Sequence, residues 1–268
     1  MGLRRLVEVR PGVWVARSRR YATATTVLLD GHGGALVIDP SWDADELGDI
    51  PRDLHDLEVE CVAGLATHIH YDHVLWHPDL GNGPRWATPG TVHQSIESRT
   101  QVLAPLLGDL PDDLIAIAAR LTPLAGPELE WRGPKAIVHE HNAHVEHHLA
   151  LEVPDWGLLV AGDMLSDVEL PYPDPDDAGL DAYRAGLDSL REVVLRTEIV
   201  VAGHGTTGYD VRERWDADRR YLDDVLTRGE SDDPRIGLED QAELHRSTCA
   251  LAAQSTPHRG PAAATMGS

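Results

Sequence analysis

The chain has 268 residues, with 45 acidic side chains against 23 basic ones and a formal net charge of −22 at pH 7. A field of that sign repels polyanions, so the composition argues against nucleic acid as a substrate; solubility or the composition of the source genome is the alternative explanation of the charge. No stretch reaches the roughly 18 consecutive apolar residues of a membrane-spanning helix, and the first residues lack the apolar run of a secretory signal. Two cysteines far apart in the chain, Cys61 and Cys249, add the expectation of a reduced, cytoplasmic protein.

The first part of the chain is patterned as strands separated by turns. Apolar runs bounded by Pro-Gly and Gly-His-Gly-Gly turns predict four strands, at residues 6–9, 13–16, 25–29 and 35–38. Residues 44–57 predict a helix that Pro51 interrupts. A mostly apolar strand at residues 59–66 then leads directly into the histidine-rich segment of residues 67–73.

The rest of the chain is predicted to complete the first run with two helices and then to form a second run of strands followed by helices. Helical spacing predicts helices at residues 91–107 and 111–121, and three strands follow at residues 136–139, 149–153 and 158–161. Beyond a loop rich in Pro and Asp, the pattern predicts a helix at 180–196, a strand at 199–202 and helices at 210–227 and 238–252. Two runs of strands, each followed by helices, predict an α/β (α+β) fold built as a four-layer αββα sandwich. We expect one domain over residues 1–252 and a disordered tail over 253–268.

The segment Thr67-His68-Ile69-His70-Tyr71-Asp72-His73 holds four potential metal ligands within six residues. In an extended or tightly turning segment, residues two apart project to the same side. His68 and His70 can therefore hold one ion, while Asp72 and His73 reach a second a few ångströms away. Imidazole and carboxylate ligands together suit zinc best, with manganese and iron as alternatives.

Three further candidate ligands follow predicted strand ends, where open α/β sites are usually built. They are His144, Asp163 and His204. Asp39, at the end of the strand that reads ALVID, is placed to fix a ligand imidazole through a hydrogen bond, and a strand-terminating Asp-Pro turn is the alternative explanation.

These residues resemble the metallo-β-lactamase superfamily over residues 25–208. The segment THIHYDH is similar to the HxHxDH signature, and the later Gly162-Asp163 and Gly203-His204 are similar to the family's GD and GH motifs in the same order. The resemblance implies a two-metal site with seven ligands. One ion is bound by His68, His70 and His144, the second by Asp72, His73 and His204, and Asp163 bridges both.

The third histidine is the least certain assignment within this resemblance. The family has a GHTxG turn there, whereas this chain reads Ala143-His144-Val145-Glu146-His147-His148. The distance to Gly162-Asp163 favours His144, and His141 and, less so, His147 remain alternatives. The roles of His147 and His148 stay open at this point.

The resemblance implies a hydrolase in which a hydroxide bridging the two ions attacks the substrate and Asp72 orients the water and takes its proton. Antibiotic-degrading members lack the bridging aspartate and are exported, so Asp163 is more similar to glyoxalase II, lactonases and related hydrolases. We expect hydrolysis of an ester, thioester or lactone. A mononuclear iron oxygenase or oxidoreductase, a phosphodiesterase and a non-catalytic metal-binding protein are the alternatives, and a homodimer is one of the oligomeric states left open.

Overall fold

The computed structural model describes residues 5–174 and 179–255. Within them, eleven strands form two sheets, of seven and four strands. The strands are β1 (Val7–Arg10), β2 (Val13–Arg17), β3 (Ala24–Leu29), β4 (Gly34–Ile38), β5 (Glu60–Leu65), β6 (Arg85–Ala87), β7 (Thr122–Pro123), β8 (Ile137–His141), β9 (His148–Val153), β10 (Leu158–Gly162) and β11 (Ile199–Ala202). The larger sheet runs in chain order from β1 to β7, and the smaller sheet has the order β11-β10-β9-β8.

The helices fall into two groups, one after each run of strands. They are α1 (Ala44–Asp56), α2 (Pro89–Glu97), α3 (Arg99–Leu103), α4 (Asp112–Ile117), α5 (Gly179–Ser189), α6 (Arg191–Val194), α7 (Val211–Arg228) and α8 (Gln241–Ser255). Short 3-10 turns lie at Pro78–Leu80, Ala104–Leu106, Pro154–Trp156 and Pro234–Gly237. Helix α8 extends three residues into the segment that we expected to be a tail. The rest of that segment, residues 256–268, lies outside the described residues, and the single-domain boundary stays a prediction.

Three apolar clusters define the layers. Side chains of both sheets meet in a central cluster that includes Leu36 and Leu65 from the larger sheet and Leu149 and Val160 from the smaller one. A second cluster joins the outer face of the larger sheet to α1–α4, and a third joins the outer face of the smaller sheet to α5–α8. The expected αββα arrangement is therefore confirmed. No helix of the described ranges is long and apolar enough to cross a membrane.

Local expectations differ from the structure where packing outweighs propensity. Helix α1 continues through Pro51, although a break there was expected, because its buried residues Leu47, Ile50 and Leu54 pack on the sheet. The helix expected over residues 91–107 is divided at Ser98, and that expected over 180–196 is divided at Leu190. Strands β6 and β7, of three and two residues, escaped prediction because so short a run carries no periodicity.

The two sheets are joined at one end by backbone hydrogen bonds. Leu149 N, near the start of β9, donates to Thr67 O at 2.9 Å, and Ala24 N, at the start of β3, donates to Gly203 O at 2.7 Å. The loops that follow β4, β5, β10 and β11 all open at this end. We call it the histidine end, and every candidate ligand predicted from the sequence lies there or in the turn that precedes β9.

Candidate metal centre

The histidine-rich segment is fixed where it leaves β5. Asp39, which follows β4, accepts a hydrogen bond from Thr67 N at 2.8 Å and another from Thr67 Oγ1 at 2.7 Å. His73 N donates to His70 O at 3.0 Å and closes a tight turn. Asp39 is buried and has a φ of +48°, a conformation that an aspartate adopts at some energetic cost. The chain is therefore bent and anchored at the point where four potential ligands follow one another.

The first cluster consists of His68, His70, His144 and Asp163, each of which has one ligand atom within 4.8 Å of the others. His144 Nε2 lies 3.0 Å from His70 Nδ1 and 3.4 Å from Asp163 Oδ2. His68 Nε2 lies 3.5 Å from the same carboxylate oxygen. Separations of this size are those of donor atoms that share one ion at about 2.0–2.2 Å in tetrahedral geometry.

The second cluster consists of Asp72, His73 and His204, again with ligand atoms within 4.8 Å of one another. The two Nε2 atoms of the histidines are 3.4 Å apart, and Asp72 Oδ2 lies 3.6 Å from His73 Nε2 and 3.5 Å from His204 Nε2. Asp163 also reaches this cluster, with Oδ1 at 3.2 Å from His73 Nε2 and Oδ2 at 3.3 Å from His204 Nε2. All seven residues predicted from the sequence thus meet at one place, with Asp163 between the two groups.

Two glycines make room for the Asp163 carboxylate. Gly162 has a φ of +57°, and a Cβ there would collide with the ring of His148. Gly203 passes directly beside Asp163, and a Cβ at this position would overlap its Oδ1 atom. The glycines that precede Asp163 and His204 are therefore needed for close approach of the two strand ends.

The hydrogen bonds of the imidazoles test whether these residues suit a metal. The outer Nδ1 atoms of His73, His144 and His204 donate to Asp39 Oδ2 at 2.9 Å, Tyr172 O at 2.7 Å and Tyr21 O at 2.9 Å. Because these oxygens accept, each outer Nδ1 carries a proton, and the inner Nε2 is the nitrogen that a metal would bind. Outer partners of this kind orient metal-binding histidines.

His68 follows the same rule and adds an unsatisfied group. Thr67 Oγ1 donates its proton to Asp39, so it accepts from His68 Nδ1 at 3.0 Å. The inner His68 Nε2 is buried without a hydrogen-bond partner, as is Asp163 Oδ1. A buried lone pair without a partner costs free energy unless a ligand supplies one. The donor set, with imidazole and carboxylate inward and protein acceptors outward, fits divalent metal ions.

The electrostatics of the first cluster keep the imidazoles of His68 and His144 neutral. Burial lowers the pKa of His144 to about 4, and burial together with the charge of His73 lowers the pKa of His68 well below its ordinary value. A neutral imidazole offers the lone pair that a metal requires. At neutral pH these two side chains are ready to bind an ion.

The second cluster holds protons when no metal is bound. Burial alone would lower the pKa of His73 and of His204, but the carboxylates around them, Asp163 first, raise the pKa of His73 well above its ordinary value and that of His204 to about 10. Asp163 would be raised by burial, yet His73, His204 and His68 hold its pKa well below the usual range. A divalent cation bound by these residues would take the place of the protons.

The structure separates the histidines whose roles the sequence left open. His144 lies in the first cluster, whereas His141 ends β8 and stacks on His148 with ring centroids 4.7 Å apart. His147 lies farther out, and its Nδ1 contacts Glu140 Oε1 at 3.0 Å. His148 is fully buried, stacks on His68 at 5.0 Å and accepts a hydrogen bond from Asp163 N at 3.1 Å. His148 therefore holds two candidate ligands in position, His68 by ring stacking and Asp163 by a hydrogen bond to its backbone.

Sequence reasoning missed Glu169, which the structure places beside His204. Its Oε1 atom lies 3.5 Å from His204 Nδ1, and Glu169 forms a third group of close ligand atoms with Asp163 and His204. Burial raises the pKa of Glu169 to about 7; the Asp163 carboxylate adds to this rise and His204 opposes it. The residue lies in the loop that follows β10, just before the Pro/Asp-rich segment, and no motif marks it. Glu169 lines a cavity of about 760 Å³ together with five of the candidate ligands, His70, Asp72, His144, Asp163 and His204.

Comparison with known proteins gives a family match. A family model described as the metallo-beta-lactamase superfamily matches residues 21–204. Over 54 residues the chain is 50% identical to the probable polyketide biosynthesis zinc-dependent hydrolase BaeB of Bacillus velezensis, a match that covers 17% of this chain and 23% of that protein. Less than a quarter of the length of that relative is therefore matched.

Solved structures share the fold at low sequence identity. A metallo-beta-lactamase family protein from Thermus thermophilus is 18% identical with a TM-score of 0.63, and the match covers 83% of each chain. A metallo-beta-lactamase from Pontibacter korlensis is 16% identical with a TM-score of 0.63, over 82% of this chain and 99% of that one. The inverting sec-alkylsulfatase Pisa1 from Pseudomonas sp. is 16% identical with a TM-score of 0.63, over 84% of this chain but only 42% of its own.

The family match spans more than half of the chain and ends at the last of the predicted ligands. The chain belongs to the metallo-beta-lactamase superfamily.

Proposed function

We propose that this protein is a dinuclear metal-dependent hydrolase that cleaves an ester, thioester or lactone bond of a small molecule. The observation that carries the proposal is the position of Asp163, whose carboxylate lies within 3.5 Å of histidine nitrogens in both clusters. Two groups of donors that share one carboxylate are suited to two neighbouring ions. Zinc is the proposed metal, in line with the zinc dependence stated in the name of the BaeB relative.

The seven residues divide into two ligand sets in this proposal. His68, His70 and His144 hold the first ion, Asp72, His73 and His204 hold the second, and Asp163 contacts both. When bound, a pair of divalent ions lowers the pKa of water to near neutrality and polarises the oxygen of a carbonyl group. The protein needs no serine or cysteine nucleophile for such a reaction.

The side chains contribute orientation and proton transfer. Asp72 belongs to the second cluster and lines the cavity, and its carboxylate orients the attacking water and accepts the proton that water loses. The oxygen of water bonds to the acyl carbon, the bond to the leaving oxygen or sulfur breaks, and the proton held by Asp72 passes to the leaving group. Asp39 and the carbonyls of Tyr21 and Tyr172 keep the histidine rings in place throughout.

The choice of a carboxylic acid derivative as substrate rests on two features. The presence of Asp163 is a likeness to the glyoxalase II and lactonase members of the superfamily, and the net charge of −22 opposes nucleic acid as a substrate. The cytoplasmic location and the oligomeric state, for which a homodimer is one option, stay predictions from the sequence.

The test begins with elemental analysis of protein purified without added metal. We expect two zinc ions per chain, hydrolysis of p-nitrophenyl esters, thioesters or lactones, loss of activity with a chelator and recovery with zinc. The matched control is His93→Ala, which removes an exposed histidine that pairs with Glu97 on α2. One iron ion per chain, or cleavage of bis-p-nitrophenyl phosphate without cleavage of any carboxylic derivative, would contradict the proposal. So would folded protein that binds no metal after zinc reconstitution.

A further inference from the structure

The cavity beside the metal centre extends well beyond the candidate ligands. Its volume of about 760 Å³ lies within the range of sites for small organic molecules. One wall is the loop of residues 164–172, which follows β10, and the other is formed by residues 238–244 around the start of α8. The reacting bond can thus lie at one end of the cavity while the rest of a substrate occupies the other.

The charges that line this cavity have one sign. Among the described residues that form its walls there is no lysine or arginine, whereas Glu169, Glu239 and Asp240 contribute carboxylates in addition to the candidate ligands. Arg235 lies behind the wall and is engaged by two carboxylates, Asp218 at 2.7 Å and Asp233 at 2.9 Å. It is therefore not available to a ligand.

Glu169 is an acidic side chain of this cavity that lies beside the candidate ligand His204. Its side chain is 30% exposed, and its closest ionisable contact is His204 Nδ1 at 3.5 Å. No arginine or lysine of the described ranges forms an ion pair with it. The backbone that carries it is held rigidly, because Arg235 Nη1 donates to Glu169 O at 2.9 Å and Ser166 Oγ accepts from Glu169 N at 2.9 Å. The Glu169 carboxylate, which has no lysine or arginine partner among the described residues, can receive a positive charge from a ligand.

Aromatic side chains line the same cavity. Tyr21, Tyr71 and Tyr172 belong to its walls. Tyr21 and Tyr71 both pack against Trp42, with ring centroids 6.1 Å and 5.4 Å away. Aromatic groups together with a carboxylate recognise ammonium and quaternary ammonium groups through cation–π and ionic attraction. Among the described residues of these walls, no lysine or arginine offers a fixed positive charge to an anionic group.

We infer that the substrate carries an ammonium or quaternary ammonium group, held in this cavity by Glu169 and the tyrosines, close to the bond that is cleaved. The inference rests on the proposed function for the position of that bond, and it adds the substrate class. The net charge of −22 acts in the same direction, because it raises the local concentration of cations.

The experiment compares two esters of equal shape and different charge. Zinc-loaded protein is assayed with butyrylcholine and with its neutral isostere 3,3-dimethylbutyl butyrate, and the ratio of their kcat/KM values is measured. We expect a ratio of about 10 or more in favour of the cation, falling towards 1 in Glu169→Gln. A loss at the metal centre common to both esters cancels in this ratio. The matched control is Glu243→Gln, an exposed acid on α8 outside the cavity, which should keep the ratio.

Several outcomes would overturn the inference while leaving the hydrolase proposal intact. A ratio at or below 1 would show no cation preference, and a high ratio that survives in Glu169→Gln would remove Glu169 from the site. Loss of metal from Glu169→Gln would identify the residue as a ligand. If neither ester is hydrolysed, calorimetry with choline and 3,3-dimethylbutanol decides: binding of choline about tenfold more tightly supports the inference, and equal affinity overturns it.

Discussion

The two ends of the sheets differ in whether their buried polar groups have hydrogen-bond partners. At the histidine end, His68 Nε2 and Asp163 Oδ1 are buried and lack hydrogen-bond partners. Glu152 lies four residues farther along β9 than His148, about 13 Å away. It is 2% exposed, and both of its carboxylate oxygens accept hydrogen bonds. Arg196 donates to it through Nε at 2.6 Å and Nη2 at 2.8 Å, and His139 Nε2 donates at 2.7 Å.

The difference separates a site built for a ligand from one built for stability. Buried donors and acceptors without partners reduce stability, so they persist where an ion supplies the missing contact. A buried carboxylate that already has three charged or polar donors needs nothing further. Substitutions at the histidine end should therefore change metal content and activity first, whereas substitutions at the opposite end should change only the free energy of unfolding.

The largest effect is expected for Asp163→Ala. The substitution removes the one carboxylate that reaches both clusters, so both ions should be lost and kcat/KM should fall on the order of 10³-fold, about 4 kcal/mol of transition-state stabilisation. Elemental analysis and ester hydrolysis measure the two effects. Asp155→Ala, at an exposed position in the 3-10 turn at the opposite end, is the control. Two tightly held ions in Asp163→Ala would show that this residue does not bridge.

The next effect distinguishes two histidines that the sequence could not rank securely. His144→Ala should weaken the first site by about 100-fold, because it removes a nitrogen 3.0 Å from His70 Nδ1. His141→Ala removes a ring that stacks on His148 and should leave the number of bound ions unchanged. Zinc titration with a competing chelator measures both affinities. The reverse order would assign the ligand role to His141.

The sequence identifies some of the candidate ligands more securely than others. Four candidates lie within six residues, so their spacing alone predicts that they share a site. They are His68, His70, Asp72 and His73. Asp163 and His204 each follow a glycine at a strand end, which makes them recognisable although they are far apart in the chain. His144 lies in the turn between β8 and β9, and the direction of a side chain in a six-residue turn depends on tertiary contacts such as the bond from His144 Nδ1 to Tyr172 O.

The residues that escaped prediction depend on contacts between distant segments. Glu169 carries no motif, and only the approach of its loop to His204 gives it a role. The layered fold was predictable from two runs of strands and helices, but the continuation of α1 through Pro51 was not, because it depends on the packing of Leu47 and Leu54 against the sheet. Local patterns thus predict the elements and the contiguous ligands, and tertiary packing decides the rest.

A smaller effect at the histidine end is expected for Asp39→Ala. Asp39 binds no candidate ion, but its Oδ2 atom accepts from His73 Nδ1 at 2.9 Å and it also anchors Thr67. Loss of such an outer partner should weaken metal binding about tenfold, mainly at the second site. The measurement is again chelator competition, and Asp30→Ala, in the turn between β3 and β4, is the control. Unchanged affinity would mean that the ring of His73 is oriented by the metal ligands alone.

The smallest effect is expected for Glu152→Gln, at the opposite end. Burial alone would raise the pKa of Glu152, but the hydrogen bonds from Arg196 and His139 lower it below its ordinary value. A lowered pKa means that the folded state favours the charged form, so the stabilisation is present above the unfolded value near 4.5 and is lost as the pH falls through the folded value. Urea unfolding at pH 7 should show a loss of about 1 kcal/mol, with two zinc ions retained.

The pH dependence sharpens this last test. The difference in unfolding free energy between the original protein and Glu152→Gln should be constant from pH 7 to about pH 5 and should close below pH 4.5, where the carboxylate takes up a proton. Glu198→Gln is the matched control, because Glu198 is 70% exposed in its pair with Arg10 and a surface pair contributes little. If Glu152→Gln instead lost metal, the two ends would be coupled through β9 and the division between binding and stability would not hold.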